Sequence, residues 1–175
     1  AGVQTVIADV LAKAGDVPII GVGISNQRES ILVWDAATGV PVGPLVIWQC
    51  RRSAPKCEAL RADGHAEAIE SRTGLALDPL FPAAKITWLL DNVPEARARA
   101  ERGELRVGTV DSWLLWNLTG GTVHATDHSN ASRTQLFNTK TLNWDEELCT
   151  LFDVPMSMLA EIKSSDSRFG ATAEG

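Results

Sequence analysis

Apolar residues at Val3, Val6, Ile7, Val10 and Leu11 recur at helical spacing, and Gly15 stands where such a helix would stop. The spacing predicts an amphipathic helix at the start of the chain. Three apolar runs of strand length follow, Ile19 to Ser25, Ser30 to Trp34 and Val42 to Trp48. The turn Asp35-Ala-Ala-Thr-Gly39 joins the last two, so an antiparallel meander is expected. The period then changes from two to that of helices. Arg52 to Arg61, Ala66 to Arg72 and Pro82 to Asn92 read as helices, with Pro82 suited to a first helical turn. Pro94 breaks the pattern, which resumes as a short charged helix to Arg102 and stops at Gly103. Leu105 to Val107 is a brief strand, and Asp111 to Leu118 is an apolar helix ended by Gly120-Gly121. Short strands around Val123 and Leu136, a helix from about Trp144 to Leu151 and a strand near Ile162 complete the pattern. Strands first and helices after, with no internal repeat, predict an α/β layered domain.

Both ends read as cut. The chain opens inside a helix with no targeting signal before it, and SSDSRFGATAEG trails off without a closing element, so neighbouring segments are expected on each side. A length of 175 residues suits one domain with a real core and is short for a two-domain enzyme. The net charge of -6, with no long Lys/Arg cluster, argues against nucleic acid as a partner. No apolar run approaches the roughly 18 residues of a membrane span, so a soluble chain is expected. Cys50, Cys57 and Cys149 are odd in number and lack CxxC spacing, which suits a reducing cytoplasm better than disulfides or zinc. His65, His124 and His128 have no metal-ligand spacing either.

Two polar runs stand out against this apolar frame. Asn26-Gln27-Arg28-Glu29-Ser30 separates two strand candidates, yet Gln-Arg-Glu is a poor turn former. Taken alone it is a solvated bend in which Arg28 and Glu29 pair with each other, or a set of ligand contacts. Trp48-Gln49-Cys50-Arg51-Arg52 is either one wall of a ligand site or a strand end fading into a helix start. Trp88, Trp113 and Trp116 sit at helix spacings among leucines, which assigns them to core packing. Asp127, His128 and Ser129 are adjacent, and a nucleophilic triad needs convergence in space instead, so hydrolase chemistry is rejected. Gly103, Gly108 and Gly120-Gly121 match no phosphate-loop spacing and read as turns and helix stops.

Seven blocks in order, ISNQRES, VIWQCRR, TGLALDP, KITWLLDNV, ERGEL, GTVDSWLLWNLTGG and TDHSNASRTQLFN, cover nearly the whole chain. Together they resemble the first domain of the FGGY family of carbohydrate kinases, nearest its glycerol-phosphorylating members. The resemblance implies a ribonuclease H-like domain of the actin and hexokinase type, incomplete at both ends, as part of an N-terminal domain. It implies ATP-dependent phosphorylation of a small polyol, glycerol first, with Arg28 and Glu29 hydrogen-bonding its hydroxyls and Trp48 packing on its carbon face. A donor fork beside a carboxylate suits hydroxyls that both donate and accept. On this reading, loss of Arg28 leaves Glu29 unpaired in a desolvated pocket. ATP and Mg²⁺ are implied for the full-length enzyme. The phosphate-binding hairpin is expected before this chain, and the base Asp and adenine site beyond residue 175, so the chain alone is expected to be inactive and to form one wall of the polyol pocket. Leu80 departs from the family, which carries an aromatic there, usually Tyr, whose hydroxyl contacts substrate. The departure leaves a kinase for another polyol or sugar (a tetritol, pentitol or ketopentose) as an alternative, beside a non-catalytic piece associating through an exposed sheet edge. A cytoplasmic location, a possible homo-oligomer and a His128 peripheral to the chemistry complete the expectations.

Overall fold

The most buried apolar run in the chain, Ile31 to Trp34, forms the centre of the fold. In this structure, a computed structural model that describes residues 2–173, β1 (Ile31–Asp35) pairs antiparallel with β2 (Leu105–Thr109), from Ile31 opposite Thr109 to Asp35 opposite Leu105. Every side chain from Ile31 to Trp34 is buried, so the strand is covered on both faces, as an unbroken apolar run requires.

The expected meander forms in part. Val46 and Ile31 exchange main-chain hydrogen bonds at 3.0 and 2.9 Å, Val42 donates to Val33 (3.0 Å), and Asp35 donates to Val40 (2.9 Å). The return is therefore antiparallel, but residues 41–46 make isolated bridges and no continuous strand. Pro41 and Pro44 each lack the N–H that a ladder would use. The turn is held by the Asp35 carboxylate, which accepts from the main-chain nitrogens of Ala37 (3.0 Å) and Thr38 (2.7 Å).

The strand expected over Ile19 to Ser25 does not form. β1 has β2 on one side and the 41–46 return on the other, so neither edge is free to take it. The segment carries no secondary structure, and Ile20 is 102% exposed. α1 (Gly2–Ala14) occupies the expected place, with no buried residue.

α2 (Ala54–Ala62), α3 (Ala66–Thr73) and α4 (Pro82–Asn92) follow the sequence pattern closely. Gly74 ends α3 at φ 71°, in the left-handed region that costs a residue with a side chain. α4 is the central helix, buried from Pro82 through Thr87 and again at Leu89 and Leu90, and it packs on β1, α2 and α5 (Ala96–Glu101). α5 starts after Pro94 and Glu95, later than expected. α6 (Val110–Leu118) leads to β3 (Ala125–Asp127), a little beyond the strand expected at Val123. α7 (His128–Ala131), which periodicity does not signal, is capped by Asp127 accepting from the Asn130 nitrogen at 2.7 Å. β4 (Phe137–Asn138) and β5 (Asn143–Trp144) make a short hairpin, α8 (Glu146–Leu151) is capped by Asp145, and β6 (Glu161–Lys163) pairs parallel with β3. Of the expected loose C-terminal tail, residues 174 and 175 lie outside the described residues.

Ile31, Val33, Ile86, Leu90, Leu105, Leu136, Leu148 and Phe152 are members of the main core. A second layer is aromatic. Trp34 is fully buried and meets Trp113 at 5.1 Å, Trp116 at 6.0 Å and His124 at 5.2 Å between ring centroids. The packing role expected for Trp113 and Trp116 is thus met by α6 lying across β1. Gly108 permits the approach: a Cβ there would stand 2.4 Å from Ser112 Cβ and 3.1 Å from the Trp34 ring. Trp88, by contrast, sits at the edge of the core beneath the Arg52 guanidinium, 4.6 Å from its ring centroid.

Burial pushes the His124 imidazole down to about 4, against a hydrogen-bond contact of 2.9 Å to Val107 O. The unfolded chain takes up this proton near the ordinary value of about 6.5 and the folded chain only near 4, so stability is lost as the pH is lowered from about 6.5 towards 4. Relative to a His124→Phe variant, the wild-type chain should lose about 2 kcal/mol more stability between pH 7 and pH 5. Urea denaturation at the two pH values measures it, and equal losses would contradict the assignment.

Candidate functional site

The return of the chain beside β1 brings the two polar runs together. Ser30, just before β1, is buried, and its Oγ accepts from the Trp48 main-chain nitrogen at 3.2 Å. A third segment joins them at the entry to α4. There Asp78 Oδ1 accepts from the Leu80 nitrogen (2.7 Å) and Asp78 O from the Phe81 nitrogen (3.2 Å), making a turn that Pro82 converts into helix. Trp48, Gln49, Arg51, Asp78 and Leu80 line one open cleft of about 280 Å³. Trp48 is 43% exposed, leaving its ring available to a ligand.

Of the four residues singled out from the sequence, Trp48 and Leu80 share this cleft. Glu29 and Arg28 are not among its lining residues. Glu29 is tied to it through Lys85, whose Nζ donates to Glu29 O at 2.9 Å and also to Leu80 O. The Glu29 carboxylate accepts from Arg133 Nε at 2.8 Å, and the Arg133 guanidinium lies over the Phe81 ring, 5.1 Å from its centroid. Arg28 is exposed and donates from Nη1 to Ser129 Oγ (3.1 Å) on α7. The mutual Arg28–Glu29 pair of the solvated-bend alternative is therefore not what forms, since each side chain has a different partner. The expectation that Glu29 would be left unpaired without Arg28 is also corrected, because Arg133 holds it.

A buried polar network anchors the loop from below. Asn26 Nδ2 donates to Asn130 Oδ1 (3.2 Å) and Asp111 Oδ1 (3.4 Å), while Asp111 accepts from the Thr109 hydroxyl and from Thr126 Oγ1 (2.7 Å). Burial raises the Asp111 carboxyl above its usual range, and the two threonine hydroxyls pull against that rise. Asp127, His128 and Ser129 do not converge: Asp127 binds Asn130 and Ser165, His128 packs edge-on to Phe137, and Ser129 receives Arg28. This supports the rejection of a triad.

Sequence reasoning missed Lys85 and Arg133 as parts of the site. Lys85 had a signal, a charged residue among Ala84, Ile86 and Leu89 on the face that α4 buries. Arg133 had none, because only tertiary folding brings it to Glu29.

Among the described residues, no group of three or more His, Cys, Asp or Glu side chains gathers that could hold a metal ion. Nor is any described helix long and apolar enough to cross a membrane.

The FGGY family of carbohydrate kinases, N-terminal domain, matches residues 1–175, and the chain belongs to that family. Curated relatives include a glycerol kinase of Alcanivorax borkumensis, 57% identical over 154 residues, covering 88% of this chain and 31% of the relative. A glycerol kinase of Thermus brockianus is 54% identical over 169 residues, covering 95% and 34%. The crystal structure of Plasmodium falciparum glycerol kinase with ADP superposes with a TM-score of 0.89 at 37% identity, over 95% of this chain and 33% of that one. A gluconate kinase from Lactobacillus acidophilus, 23% identical, shares the fold with a TM-score of 0.86, over 98% of this chain and 33% of that one. The fold is thus the ribonuclease H-like one of these kinases, and the chain spans about a third of the length of the relatives it matches.

Cys50 closes the Trp48-Gln49 run. It is half-buried and accepts from Arg52 Nε at 2.9 Å; burial raises its thiol, and the Arg52 hydrogen bonds and charge together outweigh burial and lower it. Burial pushes Cys57 up to about 11 and Cys149 up to about 12. A thiol-exchange reagent at pH 8 should therefore label Cys50 first, at least about ten-fold faster than the other two. Arg52→Ala should slow that labelling, as peptide mass mapping would show; equal rates at the three thiols would refute it.

Proposed function

We propose that the protein is an ATP-dependent kinase of a small polyol, glycerol to glycerol 3-phosphate, and that residues 1–175 form part of its first domain and one wall of its polyol pocket. The observation that carries this reading is the cleft itself. The Trp48 ring and the Leu80 side chain share it, and the Glu29 carboxylate, held by Arg133, is tied to the Leu80 wall through Lys85, in a chain 57% identical to a glycerol kinase. Such a surface suits a ligand with an apolar carbon backbone and several hydroxyls.

Phosphoryl transfer at an alcohol depends on positioning and on charge neutralisation. In this reading Trp48 receives the carbon face, Glu29 accepts from one hydroxyl, and Arg28 donates to another after leaving Ser129. Arg133 keeps the Glu29 carboxylate aimed. ATP would supply the phosphoryl group, with Mg²⁺ to neutralise its charge. In this reading the enzyme works in the cytoplasm, the reducing compartment that three free cysteines suit.

A second reading, a kinase for a longer polyol or a ketopentose, is favoured by one feature. Leu80 lines the cleft and presents only hydrocarbon where a hydroxyl donor would discriminate. Coupled assays of the full-length enzyme with glycerol, tetritols, pentitols and ketopentoses separate the readings, and activity on none of them would overturn both.

In the same enzyme, Leu80→Tyr should raise kcat/KM for glycerol by about 5-fold to 100-fold by adding a hydroxyl partner. The glycerol-to-longer-polyol ratio should rise as the ring fills space; an unchanged ratio would mean that Leu80 does not face substrate. Arg28→Ala should cost about 1.5–3 kcal/mol in kcat/KM, the range for one charged hydrogen bond, because Glu29 keeps Arg133. Near-normal polyol kinetics would return Arg28 to the role of a solvated bend.

A further inference from the structure

Lys85 is 0% exposed, the least hydrated charged side chain in the described residues. Taking an ammonium group out of water is costly unless its donors are satisfied and its charge is balanced. Its hydrogen bonds go to two main-chain oxygens, Glu29 O at 2.9 Å and Leu80 O. Burial pushes its ammonium group down to about 8, and the nearby Glu29 and Asp78 carboxylates offset part of that shift.

The destination of those bonds is informative. Leu80 O belongs to the entry turn of α4 itself, whereas Glu29 O lies 56 residues away along the chain. Lys85 rises from the second turn of α4 and joins two loops that are far apart in sequence. One carries the Glu29 carboxylate. The other carries the Leu80 side chain, which lines the cleft beside Trp48. One bond is made to the main chain of Leu80, whose side chain lines the cleft, and the other to that of Glu29, whose carboxylate the polyol reading gives to a hydroxyl, so the lysine sets where both side chains begin.

We propose that Lys85 is a positioning residue of the polyol site, a clamp that fixes the Glu29 loop against the Leu80 wall so that the ligand meets both at a set spacing. The proposal rests on the polyol-kinase reading above. α4 suits the task because it is anchored by buried residues along most of its length, so the ammonium group is held by a rigid element while the loops are drawn to it. Without the clamp, two carbonyl oxygens lose a partner and the loops are free to separate. The ligand must then supply the ordering itself, which weakens its binding more than it slows the bound complex.

The test is made in the full-length enzyme, with Lys85→Met, which keeps the length and apolar stem of the side chain and removes the donors, and Lys85→Arg, which keeps the donors and the charge. Lys85→Met should raise the polyol KM by about ten-fold or more, while the ATP KM and kcat stay within about three-fold. Lys85→Arg should recover part of the polyol KM. An unchanged polyol KM in Lys85→Met overturns the proposal. So does a loss of folded protein with kcat and both KM values worsening together, the behaviour of a lysine needed only for folding. If Lys85→Met does not fold, Lys85→Gln takes its place under the same criteria, and a chain that folds only with a cation at position 85 also overturns the proposal. A wild-type enzyme inactive on every polyol would instead defeat the kinase reading, before any variant is compared.

Discussion

The antiparallel ladder between Ile31–Asp35 and Leu105–Thr109 is the constraint on which the rest of the molecule depends. It closes the chain across everything from α2 to α5, so its loop-closure entropy must be met by apolar burial. That burial is available on both faces of β1. α4 covers one region with Ile86, Leu89 and Leu90, and Trp113, Trp116 and His124 cover Trp34. With β2 on one edge and the 41–46 return on the other, β1 has no free edge to pair with another strand.

The same ladder determines where the polar loops go. Glu29 and Ser30 leave β1 at the end where Val46 pairs with Ile31, so the Trp48 main chain is carried to Ser30 while its ring stays partly exposed. Leu80 comes to the same place because Pro82 starts α4 there and Lys85, one turn in, takes hold of both Leu80 and Glu29. The cleft is therefore lined from two segments, 48–51 and 78–80, and the 29–30 loop is tied to both of them through Ser30 and Lys85.

The buried polar groups beside the 26–30 loop are bonded to one another. Asp111 is satisfied by two threonine hydroxyls and reached by Asn26, and Asn130 by the capping carboxylate of Asp127. These bonds hold α7 beside the 26–30 loop and so place Ser129 and Arg133 within reach of Arg28 and Glu29. A half-matched network here would cost more than an apolar one, and would leave the loop without a fixed position.

Much of this was legible in the sequence. The helical periods of α2, α3, α4 and α6 and the apolar run of β1 are local signals, carried by residues a few positions apart, and they were read closely. The seven motif blocks placed the chain in its family, which the match over residues 1–175 bears out. Other features depended on partners that no local pattern reveals. Ile19 to Ser25 has strand composition, but a strand needs a neighbour, and the edges of β1 were already taken. Val42 to Trp48 has the right apolar spacing, yet Pro41 and Pro44 withhold two ladder donors. The Glu29–Arg133 pair and the two-carbonyl grip of Lys85 join residues far apart along the chain. The sequence alone thus determined the elements whose energy is local, together with the residue types that a polyol site would need. Only the tertiary structure decided which of those residues stand together, because hydrogen bonds and burial reward proximity in space, and the order of residues along the chain does not encode that proximity locally.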